Sequence, residues 1–118
     1  AEGWTIPSNI TIGAFRAPRS NFNAAAEQSF LDELAELMGK DPIDFRLELL
    51  KRAKENPVGK NNDYDADRYA GVLKLLKEKS GWNNPENKKY NRGVAAYFFH
   101  NSYAAHVVDM VTKNGQPY

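Results

Sequence analysis

The chain has 118 residues, 42% of them hydrophobic and 26% charged, proportions that suit one small domain with a single core. Sixteen basic residues nearly cancel fifteen acidic ones, which argues against a nucleic-acid-binding face and against an acidic disordered tail. With no cysteine, the chain itself holds no disulfide, zinc–thiolate site, iron–sulfur cluster or cysteine nucleophile, and no apolar run reaches the roughly 20 residues of a membrane helix.

Residues 4–22 are rich in Ile, Thr, Pro and Asn. The alternation at Ile10-Thr11-Ile12 predicts a short strand, and Arg16-Ala17-Pro18-Arg19-Ser20-Asn21 an irregular loop. No basic stretch leads into an apolar one at Ala1-Glu2-Gly3-Trp4, so no signal peptide is visible. Both ends read as cut from a larger protein.

A helix is expected over residues 23–38, with Asn23 as N-cap, three alanines behind it, and Phe30, Leu34, Leu37 and Met38 on its apolar side. Gly39 suits the position just past its end. A second helix follows at once: Asp41 caps it, Pro42 takes the first helical position, Asp44 falls in the first turn, and Lys51 and Arg52 close it. Residues 55–63 read as a loop.

The third helix spans residues 65–79, with Tyr69, Val72, Leu73 and Leu76 on one side and Gly81 beyond its end. Gly71 inside it costs about 1 kcal/mol relative to Ala, which suggests close packing there. A polar loop over residues 82–90 leads into a change of period. Residues 94–99 and 103–111 are rich in Val, Tyr and Phe, and the alternation Tyr103, Ala105, Val107, Asp109, Val111 predicts a strand. Asn114-Gly115 is a strong hairpin signal, and its return strand is expected beyond Tyr118. The order gives an α+β class: an N-terminal strand and loop, three helices, then an antiparallel ribbon.

Two stretches carry a family resemblance. The first is Gly13-Ala14-Phe15-Arg16-Ala17-Pro18, followed by a helix with Asp32-Glu33-Leu34-Ala35 and then Asp41-Pro42-Ile43-Asp44-Phe45-Arg46-Leu47-Glu48-Leu49-Leu50. The second is Arg92-Gly93-Val94-Ala95-Ala96-Tyr97 with Tyr103-Ala104-Ala105-His106-Val107-Val108-Asp109-Met110. In order and spacing they resemble an internal segment of the molybdopterin-binding large subunits of the xanthine oxidase and aldehyde oxidase family, nearest the isoquinoline 1-oxidoreductase β-subunits. The resemblance runs from Gly13 onward and covers a minor part of such a subunit.

That resemblance implies residues 1–118 as one subdomain of a bacterial molybdenum hydroxylase that oxidises N-heterocycles or aldehydes with water as the oxygen source. It implies a molybdopterin cofactor, in the cytosine dinucleotide form, within the parent enzyme and none on this segment alone. The partners implied are the remainder of the large subunit and a [2Fe-2S] small subunit, in the periplasm or the cytoplasm, with no nucleic acid and no membrane span. Phe15 and Arg16 are the implied cofactor-facing residues, with Ala14 beside them. A guanidinium suits an anionic ligand because its planar fork donates charge-assisted hydrogen bonds. Ala17-Pro18-Arg19-Ser20 stands where relatives carry glycines, so the pocket wall differs there. The family's catalytic glutamate lies far downstream, and neither Glu27 nor Glu33 takes its role.

The remaining candidates have plain readings beside functional ones. Arg16 alone reads as a solvated loop residue or a partner for Glu27. Asp32, Glu33 and Glu36 read as a solvated helix face more readily than as a metal or acid–base site. His100 and His106 would share a face of one straight strand, but two histidines without a third ligand make a weak zinc signal. Tyr97, Phe98 and Phe99 read as core packing before a substrate wall. Lys74, Lys77, Lys79, Lys88 and Lys89 are interleaved with acids and read as a solvated face. An interaction module that docks another protein through the helices or the ribbon edge is the competing reading.

Overall fold

The computed structural model describes residues 16–18, 20–58, 64–89 and 91–118. The predicted strand at Ile10–Ile12, and Ala14 and Phe15 with it, lie outside these. Three α-helices, α1 (Ser20–Leu37), α2 (Pro42–Glu55) and α3 (Ala66–Lys79), precede an antiparallel ribbon of β1 (Asn91–Phe99) and β2 (Ser102–Met110). A small hairpin of β3 (Thr112–Lys113) and β4 (Gln116–Pro117) ends the chain. This is the α+β order that the sequence predicts.

Local chemistry sets the helix ends. The Asp41 carboxylate accepts from the Ile43 and Asp44 N–H groups at 2.9 Å each, and Pro42 needs no donor at that position. Asp65 caps α3 in the same way, accepting from Asp67 and Arg68. After α1, Gly39 N–H donates to the Glu36 carbonyl and Lys40 N–H to the Ala35 carbonyl, both at 2.9 Å. After α3, Gly81 and Trp82 repeat that pattern on Glu78 and Lys77. Both turns need a left-handed residue, and glycine takes it at φ 62° and 57°.

Four local readings change. Helix α1 starts at Ser20, so Asn23 is an exposed helical residue and no cap; the left-handed Ala17 (φ 52°) lies three residues before that start. Gly71 is exposed, and a Cβ there would meet nothing within 4 Å, so no close approach requires it. Part of the polar loop after α3 winds into a 3-10 turn over Pro85–Lys89. The return strand of the Asn114-Gly115 hairpin is Gln116–Pro117, within the chain. Asn114 and Gly115 both have positive φ, which two-residue hairpin turns require. Val111 and Tyr118 exchange both backbone hydrogen bonds (3.0 and 2.7 Å), which places Pro117 at the intervening non-hydrogen-bonded pair, where its missing N–H costs nothing.

The ribbon pairs Asn91 with Met110 through to Phe99 with Ser102. Its inner face, Val94, Ala96, Ala105 and Val107, packs on Ile43, Leu50 and Leu73 of α2 and α3. Trp82 and Arg92 join the ends of these elements. The indole N–H donates to Asp41 at 2.6 Å, while Arg92 bonds Asp109 and the Ser80 and Gly81 carbonyls at the end of α3 and lies over the indole.

The β1–β2 turn holds His100 and Asn101 at φ 48° and 59°, a conformation that favours glycine at the second position. Replacing His100→Asn together with Asn101→Gly is therefore expected to stabilise the chain by about 1 kcal/mol. In urea titrations the midpoint should rise with an unchanged slope.

Candidate functional site

Of the three residues implied to face a cofactor, only Arg16 lies in the described part of the chain. It is exposed, in a bend four positions before the first residue of α1. No ion pair joins it to Glu27 among the described residues. The first turn of the 18-residue α1 carries no acidic residue to neutralise the positive end of the helix.

Sequence reasoning missed the most connected polar group. Arg46 on α2 is 3% exposed and binds Gln28 of α1 twice: its Nε donates to Gln28 Oε1 at 2.9 Å and its Nη2 to the Gln28 carbonyl at 3.0 Å. Its Nη1 donates to the Pro42 carbonyl at 2.9 Å and stands 2.7 Å from Asp32 Oδ1. That last contact is off the hydrogen-bonding line, so the buried carboxylate oxygen is held by charge alone. Gln28 Oε1 also accepts the Ala96 N–H of β1 at 3.1 Å. One amide oxygen thus joins three elements. The signal was present: Ile43, Arg46 and Leu50 fall at helical spacing on the buried side of α2, and a charged residue between two core positions needs a buried partner.

This hub also decides which side of α1 faces inward. Gln28 and Ala35 are buried, whereas Phe30, Leu37 and Met38, expected inside, are 59%, 83% and 54% exposed. Of the predicted apolar side only Leu34 stays half-buried; the rest is left facing solvent as Arg46 draws the Gln28 side inward.

Between α1 and the free edge of β1 lies a hollow of about 460 Å³, bordered by Glu27, Phe30, Tyr64, Tyr69, Tyr97 and Phe98. The Tyr69 hydroxyl donates to the Ala96 carbonyl at 2.6 Å. Burial pushes the Tyr69 phenol well above its ordinary range, and the Glu27 carboxylate adds to the effect. Tyr97 is raised by the same two causes in the same order. Tyr97 and Phe98 border this hollow, while Phe98 also packs at a tilt on Tyr64 (5.2 Å) and stacks on Tyr103 (6.1 Å), so these rings serve both packing and a cavity wall.

The other candidates separate. His100 sits in the turn and His106 in β2, so no single strand presents both. Asp32 turns toward Arg46, while Glu33 and Glu36 are exposed. Lys77 pairs with Asp44 of α2, Lys79 approaches Glu78 at 3.6 Å, and Lys74 is exposed. Among the described residues no group of three or more His, Cys, Asp or Glu side chains is gathered as a metal site, and no helix is long and apolar enough to cross a membrane.

No protein-family model matches the chain, and no curated protein or solved structure is significantly similar to it.

Proposed function

We propose that the chain is a structural subdomain of a molybdenum hydroxylase of the isoquinoline 1-oxidoreductase kind, supplying one cofactor-facing loop and inactive by itself. The observation that carries this reading is the Arg16 bend: an exposed guanidinium set just before the positive end of a long helix. Arg16, with Phe15 and Ala14 preceding it, would hold anionic oxygens of a molybdopterin by charge-assisted hydrogen bonds. When bound, that cofactor supplies the two-electron oxidation; this chain's own contribution is orientation. The exposed Phe22 and Leu37 of α1 agree with a helix that continues against further polypeptide.

A second reading, a protein-interaction module, is favoured by one feature of β2. The Ala96 N–H and C=O point away from β2 and are met by Gln28 and Tyr69, so Ala96 and Ala105 form a non-hydrogen-bonded pair. The alternation then aims the backbone of Tyr103, Ala105, Val107 and Asp109 at the outer edge of β2. No backbone partner meets these groups among the described residues, and no Lys or Pro blunts the strand.

The experiment is expression of the complete gene product in a host that makes the cofactor, followed by molybdenum and pterin analysis. Stoichiometric molybdenum, reduced severalfold by Arg16→Gln with folding intact, is the expected result. A folded product free of metal and pterin, or an Arg16→Gln variant that retains both in full, sinks the proposal and leaves the β2 edge as the better account.

A further inference from the structure

The hollow between α1 and β1 is independent of the Arg16 loop, and its chemistry can be read by asking which of its polar groups are already engaged. Arg46, at its floor, directs its donors at Gln28 and Pro42 and its charge at Asp32. Gln28 Oε1 serves both Arg46 and Ala96, and the Tyr69 hydroxyl serves the Ala96 carbonyl. Arg46 is the only cationic residue bordering the hollow among the described residues, and at 3% exposure, with Asp32 beside it, it is poorly placed to receive an anion.

Glu27 differs from these. It is exposed at the rim, its carboxylate accepts one long hydrogen bond from Gln28 Nε2 at 3.5 Å, and no ion pair engages it among the described residues. Behind it stand the rings of Phe30, Tyr64, Tyr97 and Phe98. Ring faces attract a cation through their quadrupole, and a carboxylate attracts it by charge, so both act on the same guest. A neutral guest of equal size gains only the apolar contact.

We propose that this hollow binds a small organic cation, an ammonium group carried on an aromatic body, with Glu27 as counter-ion and the four rings as walls. Its volume, about 460 Å³, lies in the range of ordinary small-molecule sites, roughly 300–1,000 Å³. Burial is the main cause that raises the Tyr97 and Tyr69 phenols, and the smaller contribution of Glu27 agrees with a negative field that reaches the walls.

Benzyltrimethylammonium titrated into the 118-residue chain, followed by amide NMR, is the test, with benzyl alcohol as the neutral control and benzenesulfonate as the anionic one. The expected result is saturable shifts at Glu27, Tyr97 and Phe98 for the cation, about tenfold weaker binding for the alcohol, and none for the sulfonate. Glu27→Gln, at an exposed position, should leave the rest of the spectrum in place and weaken the cation about tenfold. Tyr97→Leu keeps apolar volume, removes one ring face, and should also weaken the cation more than the alcohol. Equal binding of cation and alcohol, an unaffected Glu27→Gln variant, or shifts elsewhere on the surface would each overturn the proposal. So would concentration-dependent shifts of the same residues without any probe, since a second copy would then be the occupant.

Discussion

Arg46→Ala is expected to lower the unfolding free energy by about 3–5 kcal/mol, the scale of breaking a buried charged network from one side. The guanidinium is the only donor that reaches Gln28 Oε1 from α2, and its loss leaves that amide and the Gln28 carbonyl without their α2 partners in the interior. Asp32 loses its counter-charge in the same step. A domain of this size has about 5–15 kcal/mol in all, so the variant stands near the edge of folding at room temperature. Urea titration gives the difference directly, and a loss below about 1 kcal/mol would mean that the network contributes little. Gln28→Leu, combined with Arg46→Met, supplies the internal check. If the pair acts as a unit, the double variant is less destabilised than the two single losses added together.

Leu73→Ala should cost a similar amount for a different reason. Leu73 is 1% exposed at the centre of α3 and packs with Ile43, Leu50, Val94 and Ala96. Truncation removes three buried carbons and leaves a cavity that two helices and a ribbon cannot close together, for about 2–5 kcal/mol. Leu76, half-buried on the same helix, should lose clearly less on the same change. The two measured by thermal or urea unfolding therefore rank the core, and equal losses would contradict this assignment of its centre.

The parts of the fold that depend on short-range chemistry were legible from residues alone. Asp41-Pro42 marks a helix start because a short carboxylate side chain and a ring-locked φ satisfy or remove donors that the first turn cannot bond. Gly39 and Gly81 mark ends because few other residues accept the left-handed turn. The alternation through Tyr103, Ala105 and Val107 marks a strand with one covered face, and that face is the covered one.

The rest depends on partners far apart in sequence. Nothing near Gln28 announces that an arginine 18 residues later will pull it inside, so Phe30, Leu37 and Met38 were assigned inward and lie outward. The His100-Asn101 turn carries no glycine, and only the pairing of the flanking strands forces both residues to positive φ. The candidate sites divide the same way. Arg16 was singled out from its motif, whereas the hollow beside Glu27 arises from four elements meeting and leaves no local pattern to find.

Trp82 gives the molecule a gauge of its own assembly. Its indole N–H reaches the cap of α2, its ring lies under Arg92 of the ribbon, and its backbone closes α3. The chain has a second tryptophan, Trp4, so in a Trp4→Phe variant the emission comes from Trp82 alone and responds when any of the three parts separates from the others. A coincident change in tryptophan emission and in helical circular dichroism would mark unfolding as one event, and an earlier change in emission would show the joint opening before the helices melt.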